Sequence, residues 1–122
     1  MKPIVVDANI WVQHWRISNP LLLNMMMDGE ILSHPIVVGE LMMGCLKDRE
    51  KVLWNLVRLG RPPLASDAET MQMVEARRFW GRGIGWHDAK ILASVVIGDC
   101  LLWTGDKRLE NCARELEVAW PS

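Results

Sequence analysis

The sequence lacks the features that mark several protein classes. Its three cysteines, Cys45, Cys100 and Cys112, lie in apolar stretches without C-x-x-C spacing. This pattern argues against a disulfide framework or a zinc site, and we expect the thiols to be buried. Fourteen Lys and Arg residues against fifteen Asp and Glu give a net charge of -1. The chain therefore has no global basic field, and any contact with nucleic acid must be local.

Long apolar runs and tyrosine are absent as well. Asp7 interrupts the opening Ile4-Val5-Val6 after three residues, and nowhere do about 18 apolar residues follow one another. We therefore expect no secretory leader, no membrane span and a cytoplasmic location. The 122 residues are 50% apolar and 24% charged, which is typical of one globular domain over residues 1–122. Seven tryptophans lie mostly in apolar segments, where we expect core or interface packing.

Short apolar segments alternate with helix-like segments along the chain. Buried strands are predicted at 3–7, 30–34, 100–104 and 118–120. Apolar spacing and turn signals predict helices at 9–16, 20–27, 35 to about 45, after the charged run 47–51, 66 to about 80, 87–97 and 106–116. Ser66 and Glu69 fit a capping box, and the 87–97 helix is apolar on nearly every side. This alternation predicts a parallel sheet covered by helices on both faces.

Acidic residues fall where the carboxyl ends of such strands would meet. Asp7 closes the first strand, and Asp106 lies two residues beyond the 100–104 strand. Asp88 opens the helix after the glycine-rich segment 81–85, and Glu40 lies in the helix after the second strand. Ligands of open parallel sheets collect at this edge. Taken singly, these residues also fit a structural reading, in which two are first-turn helix acids and Glu40 is a surface glutamate.

Taken together, the acids indicate a metal site. Carboxylates within a few ångströms of one another repel and take up protons unless a cation lies between them. An oxygen-only shell without His or Cys favours Mg²⁺ or Mn²⁺ over zinc. The chemistry that such an ion supports with a phosphate substrate is hydrolysis of a phosphodiester.

Four short motifs around these acids resemble a known family. They are Ile4 to Trp11, Gly39-Glu40-Leu41, Gly85 to Ala89 and Leu102 to Asp106. In this order and spacing, over essentially the whole chain, they resemble a PIN-domain protein of the VapC-like toxin type. The resemblance implies a three-layer α/β/α fold with a central parallel sheet and Mg²⁺- or Mn²⁺-dependent endoribonuclease activity. It also implies a co-encoded antitoxin as partner and often a homodimer.

The resemblance assigns roles to individual residues. The motif match identifies an acidic quartet, which is Asp7, Glu40, Asp88 and Asp106. We predict that Asp7 and Asp88 bind the main ion directly, while the other two complete the shell through water or orient the attacking water. Asn9 and Thr104 are predicted to support the metal site. Three cations flank the quartet and are candidates for RNA phosphate contacts, namely Lys90, Lys107 and Arg108.

The sequence departs from the commonest family pattern near the fourth acid. Gly105, Arg108 and Leu109 stand where an Arg, an acid and a Phe are frequent. These changes leave the quartet intact, but they leave open how Asp106 is held and which RNA is chosen.

We predict a metal-dependent endoribonuclease that is the toxin of a toxin-antitoxin pair. Two other functions stay open. A phospho-acceptor signalling domain is also α/β with a Mg²⁺ site, but it needs paired acids after the first strand. Here Asp7 stands alone, and Ser33-His34 ends the second strand without an acid.

A PIN-like fold that binds RNA or protein without catalysis is compatible with an intact quartet. The sequence shows no nucleophile-base pair, so we expect hydrolysis without a covalent enzyme intermediate.

Overall fold

The computed structural model describes residues 2–121. Its strands and helices follow in the order β1 (Ile4–Val6), α1 (Ala8–Arg16), α2 (Pro20–Met27), β2 (Ile31–Leu32), α3 (Pro35–Met42), α4 (Arg49–Val57), α5 (Asp67–Arg77), α6 (Trp86–Ile97), β3 (Leu101–Trp103) and α7 (Lys107–Glu115). The predicted alternation of strands and helices is confirmed.

The three strands form one parallel sheet in the order β2-β1-β3. Val5 in the central strand lies opposite Leu32 on one side and Leu102 on the other. Two isolated parallel bridges widen the sheet, one between Leu32 and Gly60 and one between Leu102 and Ala119. β1 is fully buried, which explains its uninterrupted run of branched apolar residues. Because all strands are parallel, their carboxyl ends lie along one edge of the sheet.

All four predicted strands are shorter than expected, the second and the last most of all. β2 ends at Leu32, because the Ser33 N–H already bonds to the Gly60 carbonyl and His34 turns to cap α3. The predicted strand at 118–120 makes only one bridge, with Trp120 donating to the Leu102 carbonyl at 2.8 Å.

The predicted helices at 35 to about 45 and 66 to about 80 end earlier, at Met42 and Arg77. The Ser66 capping box is present at the start of α5, as expected. That helix ends at Arg77 because Arg78 adopts a left-handed conformation with φ 56° and Phe79 enters the core. α6 is buried only in its middle, mainly from Ile91 to Val95, while its first two and last two residues are exposed.

The burial of cysteine and tryptophan differs from expectation. Two cysteines are buried, but Cys45 is exposed. Four of the seven tryptophans, Trp15, Trp54, Trp80 and Trp86, are exposed rather than packed in the core. None of the helices in the described part of the chain combines the length and apolar character that a membrane crossing requires.

Candidate metal-dependent nuclease site

The ends of β1 and β3 place Asp7 and Thr104 side by side. Each residue directly follows its strand, and the parallel pairing continues through an Asp7 N–H bond to the Trp103 carbonyl at 2.9 Å. The Thr104 hydroxyl then donates to Asp7 Oδ2 at 2.7 Å. The sheet register itself therefore brings together two residues that are 97 positions apart in the sequence.

Asp7 is a buried carboxylate, with only 6% of its surface exposed. Its Oδ1 accepts the Ala8 N–H at 2.8 Å, which caps α1. Burial raises the pKa of Asp7, the bonds from Thr104 and Ala8 lower it, and the negative charges of Asp88 and Asp106 raise it further. Two other members of the acidic quartet therefore lie close enough to repel Asp7.

A polar network around Thr104 holds Asn9 and Asp106. Thr104 Oγ1 accepts the Asp106 N–H at 3.1 Å and lies 3.5 Å from the Asn9 amide nitrogen. Asn9 Oδ1 accepts the Gly105 N–H at 2.9 Å. A Cβ on Gly105 would lie 3.3 Å from that same oxygen. Glycine therefore allows α1 and the segment before α7 to approach closely. The network places Asn9 and Thr104 beside Asp7, where the motif match expects them.

Asp106 is held as the N-cap of α7. Its Oδ1 accepts the Arg108 N–H at 2.9 Å and the Leu109 N–H at 3.4 Å. One carboxylate oxygen thus satisfies two N–H groups of the first helical turn, and the side chain stays half-buried. This cap holds Asp106 in place, although the neighbouring positions 105, 108 and 109 depart from the family pattern.

Asp88 and Glu40 meet across a cavity of about 310 Å³, which Gly85, Trp86 and His87 also line. Asp88 lies in the first turn of α6, and its Oδ2 accepts the Gly85 N–H at 3.3 Å. Glu40 is exposed on α3. Partial loss of water around its carboxylate and then the charges of Asp7 and Asp88 raise the pKa of Glu40, while His87 lowers it.

The donor set of the quartet fits a hard divalent cation. All four side chains offer carboxylate oxygens, and their repulsion is the kind that a bound cation relieves. Within residues 2–121, no three His, Cys, Asp or Glu side chains are close enough together to enclose an ion. Mg²⁺ tolerates such an open arrangement, because it keeps several waters while one or two carboxylates bind it directly.

The three predicted phosphate-binding cations differ in their surroundings. Lys90 pairs with Asp67 on α5 at 2.8 Å, which weakens its candidacy. Lys107 and Arg108 are exposed in the first turn of α7. The Arg108 side chain lies over Gly83, where a Cβ would approach it to 2.5 Å and φ is +83°. Glycine is therefore required for this contact between the 81–85 loop and α7.

Sequence reasoning gave no role to a buried histidine next to the site. His34 Nδ1 accepts the Ile36 N–H at 3.0 Å, and its Nε2 lies 3.0 Å from the Ser94 hydroxyl on α6. Burial, followed by the positive charges of Lys90 and Arg61, lowers the pKa of His34 to about 4. Its position directly before Pro35, at a helix start, was the available signal for the cap. The contact with α6 had no local signal.

Comparison with known proteins identifies the class. The PIN domain family model matches residues 4–115, and the chain belongs to the PIN domain family. The predicted resemblance and the three-layer α/β/α fold are thereby confirmed.

One named relative matches nearly the whole chain. Ribonuclease VapC32 of Mycobacterium tuberculosis, from strains CDC 1551 / Oshkosh and H37Rv, is 40% identical over 117 residues, which is 95% of this chain and 94% of the relative. The crystal structure of FitAcB from Neisseria gonorrhoeae matches with a TM-score of 0.64 over 95% of this chain and 94% of that one. At 19% identity, that second likeness shows the fold alone.

Proposed function

We propose that the protein is a Mg²⁺- or Mn²⁺-dependent endoribonuclease and the toxin of a toxin-antitoxin pair. The observation that carries the proposal is the pairwise placement of the four acids. The Thr104 hydroxyl bonds both Asp7 and the Asp106 N–H, and Glu40 and Asp88 line one cavity. The relative named Ribonuclease VapC32, which covers nearly the whole chain, supports RNA as the substrate. RNA as substrate fits a cytoplasmic site of action.

Each residue of the site has a distinct role in this proposal. Asp7 and Asp88 would hold the ion directly, and Glu40 and Asp106 would complete its shell through water or orient the attacking water. Thr104 fixes Asp7 through its 2.7 Å hydrogen bond, and Asn9 holds the chain that leads to Asp106. When bound, Mg²⁺ or Mn²⁺ supplies polarisation of a phosphoryl oxygen and activation of water.

RNA would approach over the first turn of α7. Lys107 and Arg108 are exposed there, directly after Asp106, and their charges offset the negative field of the quartet for an incoming phosphate. Lys90, paired with Asp67, contributes less to this contact.

An antitoxin and a second copy of the chain are the proposed partners. The family resemblance supports both, and exposed apolar side chains of α2 and the segment after α3, such as Met27 and Met43, suit a protein surface.

The test is cleavage of total RNA by purified, antitoxin-free protein, with and without Mg²⁺ or Mn²⁺. Asp7→Asn and Asp88→Asn are expected to lower the rate by about a hundred-fold or more. Asp99→Asn is the matched control, because Asp99 is an exposed acid paired with Lys2 at 3.0 Å. Absence of cutting by the wild type in any divalent ion, with RNA still bound, would favour the non-catalytic binding module.

A further inference from the structure

An exposed tryptophan lies at the mouth of the acidic cavity. Trp86 is the first residue of α6, two positions before Asp88, and 42% of its surface is exposed. Its side chain lines the cavity together with Glu40 and Asp88. A large apolar ring is thus presented to solvent beside charged groups that would face a phosphate.

The ring of Trp86 is open for stacking. Trp54 on α4 has a comparable exposure of 57%, but the Arg58 guanidinium covers its ring at 4.2 Å. In the described part of the chain, no aromatic ring or cation is stacked on Trp86. Exposure of part of an indole ring costs free energy in water, and a flat aromatic partner would recover it.

We propose that Trp86 stacks on an unpaired base of the RNA adjacent to the scissile phosphate, which makes it a specificity-determining residue for single-stranded RNA. This inference rests on the proposed ribonuclease function. Every base has a π-face, so stacking tolerates different sequences, but bases in a duplex are already stacked on their neighbours. The cations after Asp106 would hold phosphates, and Trp86 would hold a base beside Glu40 and Asp88.

The test compares kcat/KM of the full-length wild type with Trp86→Leu, Trp86→Phe and Trp54→Leu. The substrate is a short single-stranded oligonucleotide that spans a cleavage position mapped in total RNA. We expect Trp86→Leu to lower kcat/KM about five- to a hundred-fold, because base stacking on an aromatic ring has that magnitude. Trp86→Phe keeps most of the rate, and Trp54→Leu keeps all of it. Thermal melting of each variant verifies folding.

A series of abasic substrates separates stacking from displacement of Asp88. Removing the base that stacks on Trp86 lowers kcat/KM for the wild type and cancels the difference between wild type and Trp86→Leu. A Trp86→Leu defect that is equal on every abasic substrate, or no defect at all, overturns the stacking while the ribonuclease function stands. A wild type that cuts no RNA in Mg²⁺ or Mn²⁺ overturns the ribonuclease function and the stacking with it.

Discussion

At the scale of single residues, the hydroxyl of Thr104 favours the ionised form of Asp7. Burial is the largest effect on the pKa of Asp7 and raises it, whereas the 2.7 Å bond from Thr104 is the largest effect that lowers it. A carboxylate that binds a cation must be ionised. The threonine therefore favours the form of Asp7 that can bind a metal ion.

Thr104→Val removes this bond at nearly constant volume. The pKa of Asp7 rises further, so the acidic limb of the pH profile of kcat/KM moves to higher pH. At pH values on the acidic limb, activity falls about ten-fold or more, since a hydrogen bond to a charged group contributes about 1.5–3 kcal/mol. Thr104→Ser is the control and retains the wild-type profile. A valine variant with an unshifted acidic limb would show that the hydroxyl does not govern Asp7.

The sequence motifs predict which residues form the site, but they do not predict the contacts that those residues make. The motifs pointed to Asn9 and Thr104 as supporting residues, and the structure places both beside Asp7. The sequence does not show why glycine occupies position 105, because the reason is a contact with the Asn9 side chain on α1. The exposed ring of Trp86 was also hidden, since an apolar residue at a helix start predicts packing as readily as exposure.

At the scale of elements, three of the four site acids also bond the N–H groups at a helix start. Asp7 caps α1, Asp106 caps α7, and Asp88 bonds back to the Gly85 N–H at the start of α6. An acid at a helix start is favoured by unpaired N–H groups and by the helix dipole. Each of these acids can therefore serve both as a helix-capping group and as a metal ligand. A suitable substitution separates the two roles.

Asp106→Asn and Asp106→Ala separate capping from charge. Asparagine keeps an oxygen for the Arg108 and Leu109 N–H groups, so we expect its unfolding free energy to stay near that of the wild type. Alanine removes the cap and costs about 1 kcal/mol in denaturant unfolding. Both variants lose RNA cleavage, because both lose the charge. Cleavage at the wild-type rate by the asparagine variant would mean that Asp106 serves only as a cap.

Element types were predictable, whereas some ends were not. Periodicity and turn signals located the helices and the central strand, because those signals are local. The early end of β2 depends on Gly60 and on His34 capping α3, and the early end of α5 depends on Phe79 entering the core. Such boundaries are decided by distant packing, which a local pattern does not contain.

At the scale of the whole molecule, His34 and Ser94 link the two halves of the chain. The Ile36 N–H donates to His34 Nδ1, so the neutral ring carries its proton on Nε2 and donates it to Ser94. Ser94 in turn accepts the Ala65 N–H and donates to the Lys90 carbonyl, at 3.0 Å and 2.8 Å. Every polar atom of the pair is satisfied only while His34 is neutral.

Folding stability should therefore depend on pH through His34. Its pKa falls from 6.5 to about 4 on folding, so the stability it contributes is complete above pH 6.5 and is lost as the pH falls toward 4. The loss amounts to about 3 kcal/mol. His34→Asn retains an acceptor for the Ile36 N–H but does not titrate. We expect the unfolding free energies of wild type and variant to converge by that amount between pH 7 and pH 4.

Urea unfolding at each pH measures this difference. The raised pKa values of Asp7 and Glu40 add stability as the pH falls, and this opposing contribution is common to both proteins and cancels in the comparison. Parallel loss of stability in wild type and variant would contradict a neutral, buried His34.

The most direct test of the central claim is calorimetric titration of the metal-free protein with Mn²⁺. If carboxylates from separate elements hold one site together, the wild type and Asp99→Asn bind Mn²⁺ alike. Asp7→Asn and Asp88→Asn then bind it at least about ten-fold more weakly. Equal Mn²⁺ affinity in all four proteins, or no binding by the wild type, would contradict the account.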